Sequence, residues 1–234
     1  MSGHSKWATT HRQKAVVDAK RGAAFTKLGN MIAIAARGGT DPTTNSSLAL
    51  AIEKARAANM PNANIQRAID RINDKNAAAL EEAVYEGYGP GGVGIIIETA
   101  TDNKNRTYPE VRTALTKNGG TMADSGSVMF QFARKGVICV AASGEEALLT
   151  VLDAGAEDAT EEDGGLTVYT DKKELAKVRE ALLAAGMTVE DAELQYVPNN
   201  TVAIEDDETA RKLTKIIDAL EALDDVTNVA TNAA

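Results

Sequence analysis

The stretch VICVAASGEEALLTVLDAGAEDATEEDGGLTVYTDKKELAKVREALLAAGMTVEDAELQYV, residues 137–197, decides the fold. Val137 to Val140 is a short apolar run of strand length, and Glu145 to Leu152 has helical spacing. Ala156 to Glu161 reads as an edge strand. After Gly164-Gly165 come a strand from Leu166 to Thr170, a helix from Lys172 to Ala185 and a strand from Thr188 to Val197. The order is βαββαβ, the ferredoxin-like arrangement.

The flanks repeat the alternation. On the N-terminal side lie a strand from Val93 to Thr99, a helix from about Tyr108 to Lys117 stopped by Asn118-Gly119-Gly120, and a strand from Val128 to Phe132. On the C-terminal side lie a strand from Thr201 to Ile204, a helix from Glu208 to Leu223 and a strand from Val226 to Thr231. The two flanks together make a second βαββαβ set into which the first is inserted; a tandem arrangement is the alternative.

The first third reads as helical. Phe25, Leu28 and Ile32 recur at helical spacing between about Ala15 and Ala36, and Gly38-Gly39 stops that helix. A second helix starts near Ser46, and Pro61 suits the first position of a third, whose apolar face is Ile65, Ala68, Ile69 and Ile72. The expected class is therefore α+β: an N-terminal helical bundle plus two ferredoxin-like α/β domains, one inserted in the other. The expected domains are a basic helical unit over 1–78, a discontinuous α/β domain over 79–135 and 199–234, and an acidic inserted domain over 136–198.

Charge divides along the same boundaries. The 234 residues carry a net charge of −9, but the segment through Lys75 holds twelve basic against five acidic residues, a net of +7. The remainder is then −16. Two opposite electrostatic objects share one chain, and only the first suits a polyanion. Aromatics make up 4% of the chain, so the cores are built from Ala, Val, Leu and Ile. The single cysteine, Cys139, excludes a disulfide framework and reads as a small buried hydrophobe. No apolar run reaches the length of a membrane span and the first residues do not form a signal peptide, so a cytoplasmic location is expected.

The segment Gly3-His4-Ser5-Lys6-Trp7 continues through His11-Arg12-Gln13-Lys14 to Lys20-Arg21. Its cations neutralise phosphates and release counterions, while Trp7, His4 and His11 offer flat faces for unpaired bases. Trp7 would equally serve to anchor the terminus. The second and third helices, joined at Ala58-Asn59-Met60, have the outline of a helix-turn-helix. The third presents Asn62, Asn64, Gln66, Arg67 and Arg71, side chains that can read base edges and that also suit a solvated face. Lys27 joins the candidate contacts, as do Lys104 and Arg106 in the polar loop Thr101–Thr107.

Other patterns subtract possibilities. Gly87-Tyr88-Gly89-Pro90-Gly91-Gly92 matches GxGxxG in form, but the glycines precede a strand and Pro90 removes an amide donor; a tight turn fits better than a dinucleotide site. The run Glu157, Asp158, Glu161, Glu162, Asp163 lacks the spacing of a calcium loop. There is no nucleophile elbow, P-loop or zinc pattern. Neither catalysis, a cofactor nor a metal is expected.

Five segments carry a resemblance: Gly3 to Trp7, Asp18 to Gly22, Ala57 to Pro61, Tyr85 to Gly92 and Thr101 to Thr107. In that order, over nearly the whole chain, they resemble the YebC/PmpR family. The resemblance implies a helical N-terminal domain plus two α/β domains. Bacterial members are described as probable transcriptional regulatory proteins that bind DNA. The mitochondrial relative is a translational activator of cytochrome c oxidase, and some bacterial members are linked to ribosomes stalled on proline-rich sequence. Family members often carry Lys-His-Arg/Lys-Lys where this chain has His11-Arg12-Gln13-Lys14, and basic residues near Ser47, Ala49, Asn62 and Asp70. The phosphate-binding surface is accordingly thinner here, and the carry-over is safest for Lys6, Trp7, Lys20 and Arg21.

The leading expectation is a DNA-binding transcriptional regulator, monomeric, with its acidic domains facing away from nucleic acid. The alternative is a translation factor on ribosomal or transfer RNA, for which a lone Trp among flexible cations is the better physical match. A third reading places a small-molecule ligand between the α/β domains.

Overall fold

The structure is a computed structural model that describes residues 21–74, 78–162 and 164–234. Among the described residues three helices come first: α1 (Arg21–Ala35), α2 (Ser46–Ala57) and α3 (Asn62–Asp70). Asn45 caps α2 by accepting the Leu48 N–H at 3.1 Å, and its side-chain amide donates to Ala35 and Gly39 carbonyls, tying the end of α1 to the start of α2. Ile32, Leu48, Ile52, Ile65 and Ile69 form the core of this unit. Its apolar faces follow the helical period read from the sequence, although Ile72, assigned to that face, is 41% exposed.

The rest is mixed α/β, with two four-stranded antiparallel sheets among the described residues. The chain continues as β1 (Glu81–Tyr88), β2 (Gly94–Thr101), α4 (Lys104–Lys117), β3 (Thr121–Ala123) and β4 (Phe132–Val140). Then come α5 (Glu145–Asp153), β5 (Asp158–Glu162), β6 (Gly165–Asp171), α6 (Leu175–Ala184) and β7 (Val189–Pro198). α7 (Asp207–Glu221) and β8 (Val226–Thr231) close the chain.

The second sheet has strand order β5-β6-β4-β7, and its elements run βαββαβ in chain order; the bounds are close to those expected except for β4, which begins at Phe132 rather than Val137. Ile138, Val140, Leu166 and Val168 pack on Val151, Val178 and Leu182 of its two helices. Cys139 alternates away from that core and is half-buried, so the expectation of a buried position is only partly met.

The first sheet departs from expectation in chain order. Its strands run β3-β1-β2-β8, so three precede the second sheet in sequence and one follows it. The spatial order is that of a βαββαβ sheet, but the strand beside β3 is β1, taken from ahead of β2. The expected strand Thr201–Ile204 contributes one parallel bridge, Val202 to Ala233. The expected strand Val128–Phe132 is instead a 3₁₀ turn, Met129–Gln131, leading into β4. The run Gly87–Gly92, read as a tight turn, is strand through Tyr88; the turn is the stretch after β1, where Gly91 and Gly92 adopt φ of 76° and 78°. α4 starts a turn before the expected Tyr108, because Asn103 caps it and Pro109 lies inside rather than at its first position.

β2 is buried on both faces. Ile95 and Ile97 pack against Val111, Leu115, Leu213 and Ile216 of α4 and α7, while Ile96 meets Val128 and Phe132. Arg134 links the two sheets: it pairs with Glu98 at 2.5 Å and lies 4.8 Å from the Tyr196 ring centroid. No described helix is long and apolar enough to cross a membrane.

Candidate nucleic-acid interface

α2 and α3 meet at a turn in which Asn59 takes φ 60° and Met60 returns its N–H to the Ala55 carbonyl at 2.9 Å. The Met60 side chain is buried in the helical core, fixing the angle between the helices. With Ile65 and Ile69 inward, α3 presents Asn62, Gln66, Arg67 and Asp70 to solvent. Gln66 bonds Asp70 at 2.9 Å and Arg67 bonds Asn64 at 3.4 Å. Asn64 is half-buried, so the outward set is smaller than the expected five.

Arg71 is also missing from that face. It lies in the 3₁₀ turn after α3 and points inward, 3.4 Å from Asn30 Oδ1 and 3.8 Å from Asp102. Lys27 is likewise engaged, because its ammonium bonds the Glu221 carbonyl at the end of α7. Burial pushes the Lys27 pKa down against the opposing pull of Glu221 and Asp224. His4, Lys6, Trp7, His11, Arg12, Lys14 and Lys20 lie outside the described residues. Arg21 opens α1 with its backbone, and its side chain is likewise outside them.

The loop Thr101–Thr107 is organised around a residue that sequence reading did not single out. Asp225 accepts hydrogen bonds from Thr101 at 2.9 Å, Thr107 at 2.6 Å and Arg106 at 2.8 Å. Burial works to raise its pKa, but those donors win and hold the carboxyl below its usual value. An internal carboxylate thus occupies the start of α4, where a helix terminus and an arginine would otherwise attract an anion. Lys104 pairs with Glu81 at 2.6 Å. A lone Asp at a helix–strand junction carries no periodic signal, which is why Asp225 went unread.

Two cavities border the helical unit. One, of about 580 Å³, is lined by Asn30, Arg71, Asp102, Arg106, Glu110 and Asp225; its cations are already matched by carboxylates. The other, of about 660 Å³, lies where α1 and α2 meet both sheets. Lys54 crosses it to Glu193 and Asp191, and Arg179 reaches Glu53 nearby. Lys172 and Lys173 line this second cavity, with no ionic partner among the described residues. Arg56, exposed in the last turn of α2, also has no ionic partner among those residues and is a further outward cation of the helical unit. Its place in a terminal helical turn was the signal that could have found it.

Fold and surface define a class: a small helical unit with a helix-turn-helix outline, joined to two antiparallel α/β sheets. Residues 5–75 match the family model described as the TACO1/YebC protein N-terminal domain, and residues 80–233 match that of the TACO1/YebC second and third domain. The chain belongs to the TACO1/YebC family. A relative from Moorella thermoacetica is 51% identical, covering 100% of this chain and 95% of its own. Another from Salinispora tropica is 50% identical, covering 99% and 95%. Both carry the name probable transcriptional regulatory protein. The crystal structure of a conserved hypothetical protein from Aquifex aeolicus superposes with a TM-score of 0.91 at 44% identity, over 98% of this chain and 97% of that one.

Proposed function

We propose that this chain is a non-enzymatic, DNA-binding regulator of gene expression, acting in the cytoplasm without a cofactor. The observation that carries the reading is the α2–turn–α3 unit, which buries Ile65 and Ile69 and turns Asn62, Gln66 and Arg67 outward. Its relatives' names point to transcription. The basic segment with Lys6, His11, Arg12, Lys14, Lys20 and Arg21 supplies the phosphate contacts, and the acidic remainder turns away from the polyanion. The working parts are the helical unit 1–78, the α/β domain 79–135 with 199–234, and the inserted domain 136–198.

Trp7 within that cationic segment supports a second reading, a translation factor on ribosomal or transfer RNA, since a flat ring favours unpaired bases. Duplex-DNA binding and ribosome co-sedimentation, each at two salt concentrations, separate the two. Lys20→Glu with Arg21→Glu should abolish whichever binding is present. Unchanged binding in that variant overturns the proposal that the basic segment makes the contact.

A further inference from the structure

The loop between β3 and β4 is shaped by a buried charge. The Glu86 side chain, in a residue 3% exposed, accepts the N–H groups of Gly126 at 2.6 Å, Val128 at 2.7 Å and Met129 at 2.8 Å. Tyr88 donates its hydroxyl to the Ser127 carbonyl at 2.9 Å. From the far side, Asn199 donates its backbone N–H to Gln131 at 2.8 Å and its side-chain amide to Phe130 at 3.3 Å. A carboxylate taken out of water needs its lone pairs met, and here the loop's own amides meet them.

The outcome of this bracing is unusual. Val128 is driven into the core, and two residues later Phe130 stands 71% exposed, the most exposed large hydrophobic side chain among the described residues. A phenyl ring left in water forgoes the transfer free energy of burial. Holding it on a fixed backbone removes the entropy a partner would otherwise have to overcome.

We propose that Phe130 is the anchor of a protein–protein contact: its ring enters an apolar pocket on a partner protein, and a basic rim of that pocket faces Asp124. An exposed phenyl could also stack on a nucleobase, but the local charge decides against it. Residues 121–133 and 198–201 contain one charged side chain, Asp124, which is exposed, and they contain no cation. Single-strand binders pair their stacking rings with a cationic groove, and this tip would repel the phosphates instead. An aromatic anchor ringed by polar groups is what a protein interface uses.

The test places the photocrosslinker benzoylphenylalanine at position 130 of the full chain in cells, with position 116 on α4 as control. The crosslinked protein is then identified, purified and titrated against the unmodified chain and its variants. Expected are one discrete protein adduct specific to position 130 and a loss of affinity of at least about tenfold in Phe130→Ala at unchanged melting temperature. Phe130→Trp should retain binding, and Glu86→Gln should weaken it by freeing the loop while leaving the ring in place. Absence of a position-specific adduct, an adduct to nucleic acid, or equal affinity of Phe130→Ala overturns the proposal. So does loss of oligonucleotide binding in Phe130→Ala, which would assign the ring to a base.

Discussion

Arg106 donates through one guanidinium nitrogen to both carboxylate oxygens of Asp225, at 3.0 Å and 2.8 Å. The two lie 119 residues apart in sequence, and the contact joins the start of α4 to the entry of β8. Thr101 and Thr107 donate to the same carboxylate, so the network closes one end of the first sheet.

Truncating the acceptor removes the carboxylate that Thr101, Thr107 and Arg106 share, leaving Arg106 its longer contact to Asp102 at 3.2 Å. Asp225→Ala should lower the unfolding free energy by about 3 kcal/mol, measured by urea denaturation. Arg106→Ala should then add little in the Asp225→Ala background, because the two act as a unit. Nucleic-acid affinity of folded Arg106→Ala should be nearly that of the parent, since the guanidinium is occupied within the fold. A tenfold fall in affinity would return Arg106 to the interface.

The second sheet was legible because its strands are apolar runs such as Val137-Ile138-Cys139-Val140 and Leu166 to Thr170, the latter set off by Gly164-Gly165. β1 was not, because Glu81, Glu82, Glu86 and Gly87 give it neither alternation nor strand propensity. Its stability comes from tertiary contacts: pairing to β2 along its whole length and the three amides on Glu86. The candidate contacts divide similarly. Arg67 lies on the solvent side of a periodic helix, and its exposure followed from the spacing. Lys27, Arg71 and Arg106 were read as candidate contacts without sight of the partners they have in the fold, because Glu221, Asp102 and Asp225 lie at long sequence separation from them.

Glu86 gives a pH signature. Burial works to raise its pKa, yet the Gly126, Val128 and Met129 amides hold it below the ordinary glutamate value. A carboxyl depressed in the folded state contributes stability that is complete above its unfolded value, about 4.3, and is lost as pH falls through the folded value. Glu86→Gln should therefore destabilise by about 2 kcal/mol at neutral pH, and the gap to the parent should narrow on acidification below about pH 4. Urea midpoints of both proteins from pH 3 to 7 check this; a gap that stays constant with pH would separate the role of Glu86 from its charge.

Gly87 faces a tight contact from two sides. A Cβ there would sit 2.9 Å from the Thr121 carbonyl oxygen and 3.0 Å from Leu115 Cδ1. The backbone oxygen belongs to the β1–β3 pairing and cannot swing aside as a side-chain end would. Gly87→Ala should cost about 1–3 kcal/mol through displacement of β3, seen as a lowered melting temperature. An unchanged melting temperature would mean that β3 shifts freely.

The choice between duplex and single-stranded targets can be read from salt dependence. Arg67 is exposed on α3 and, among the described residues, its guanidinium bonds Asn64 alone, so it is available to a phosphate. Each phosphate contact contributes a slope of about −0.9 to the logarithm of affinity against that of salt on duplex DNA, and about −0.7 on a single strand. Arg67→Ala should leave the fold intact and reduce the slope by about 0.9 if α3 lies against duplex DNA. Were Arg67 instead reading a base edge, the loss would fall on sequence discrimination, with the slope barely moved. An unaltered slope and unaltered discrimination on duplex DNA would remove α3 from the interface and leave binding to the basic N-terminal segment, where Trp7 favours unpaired bases.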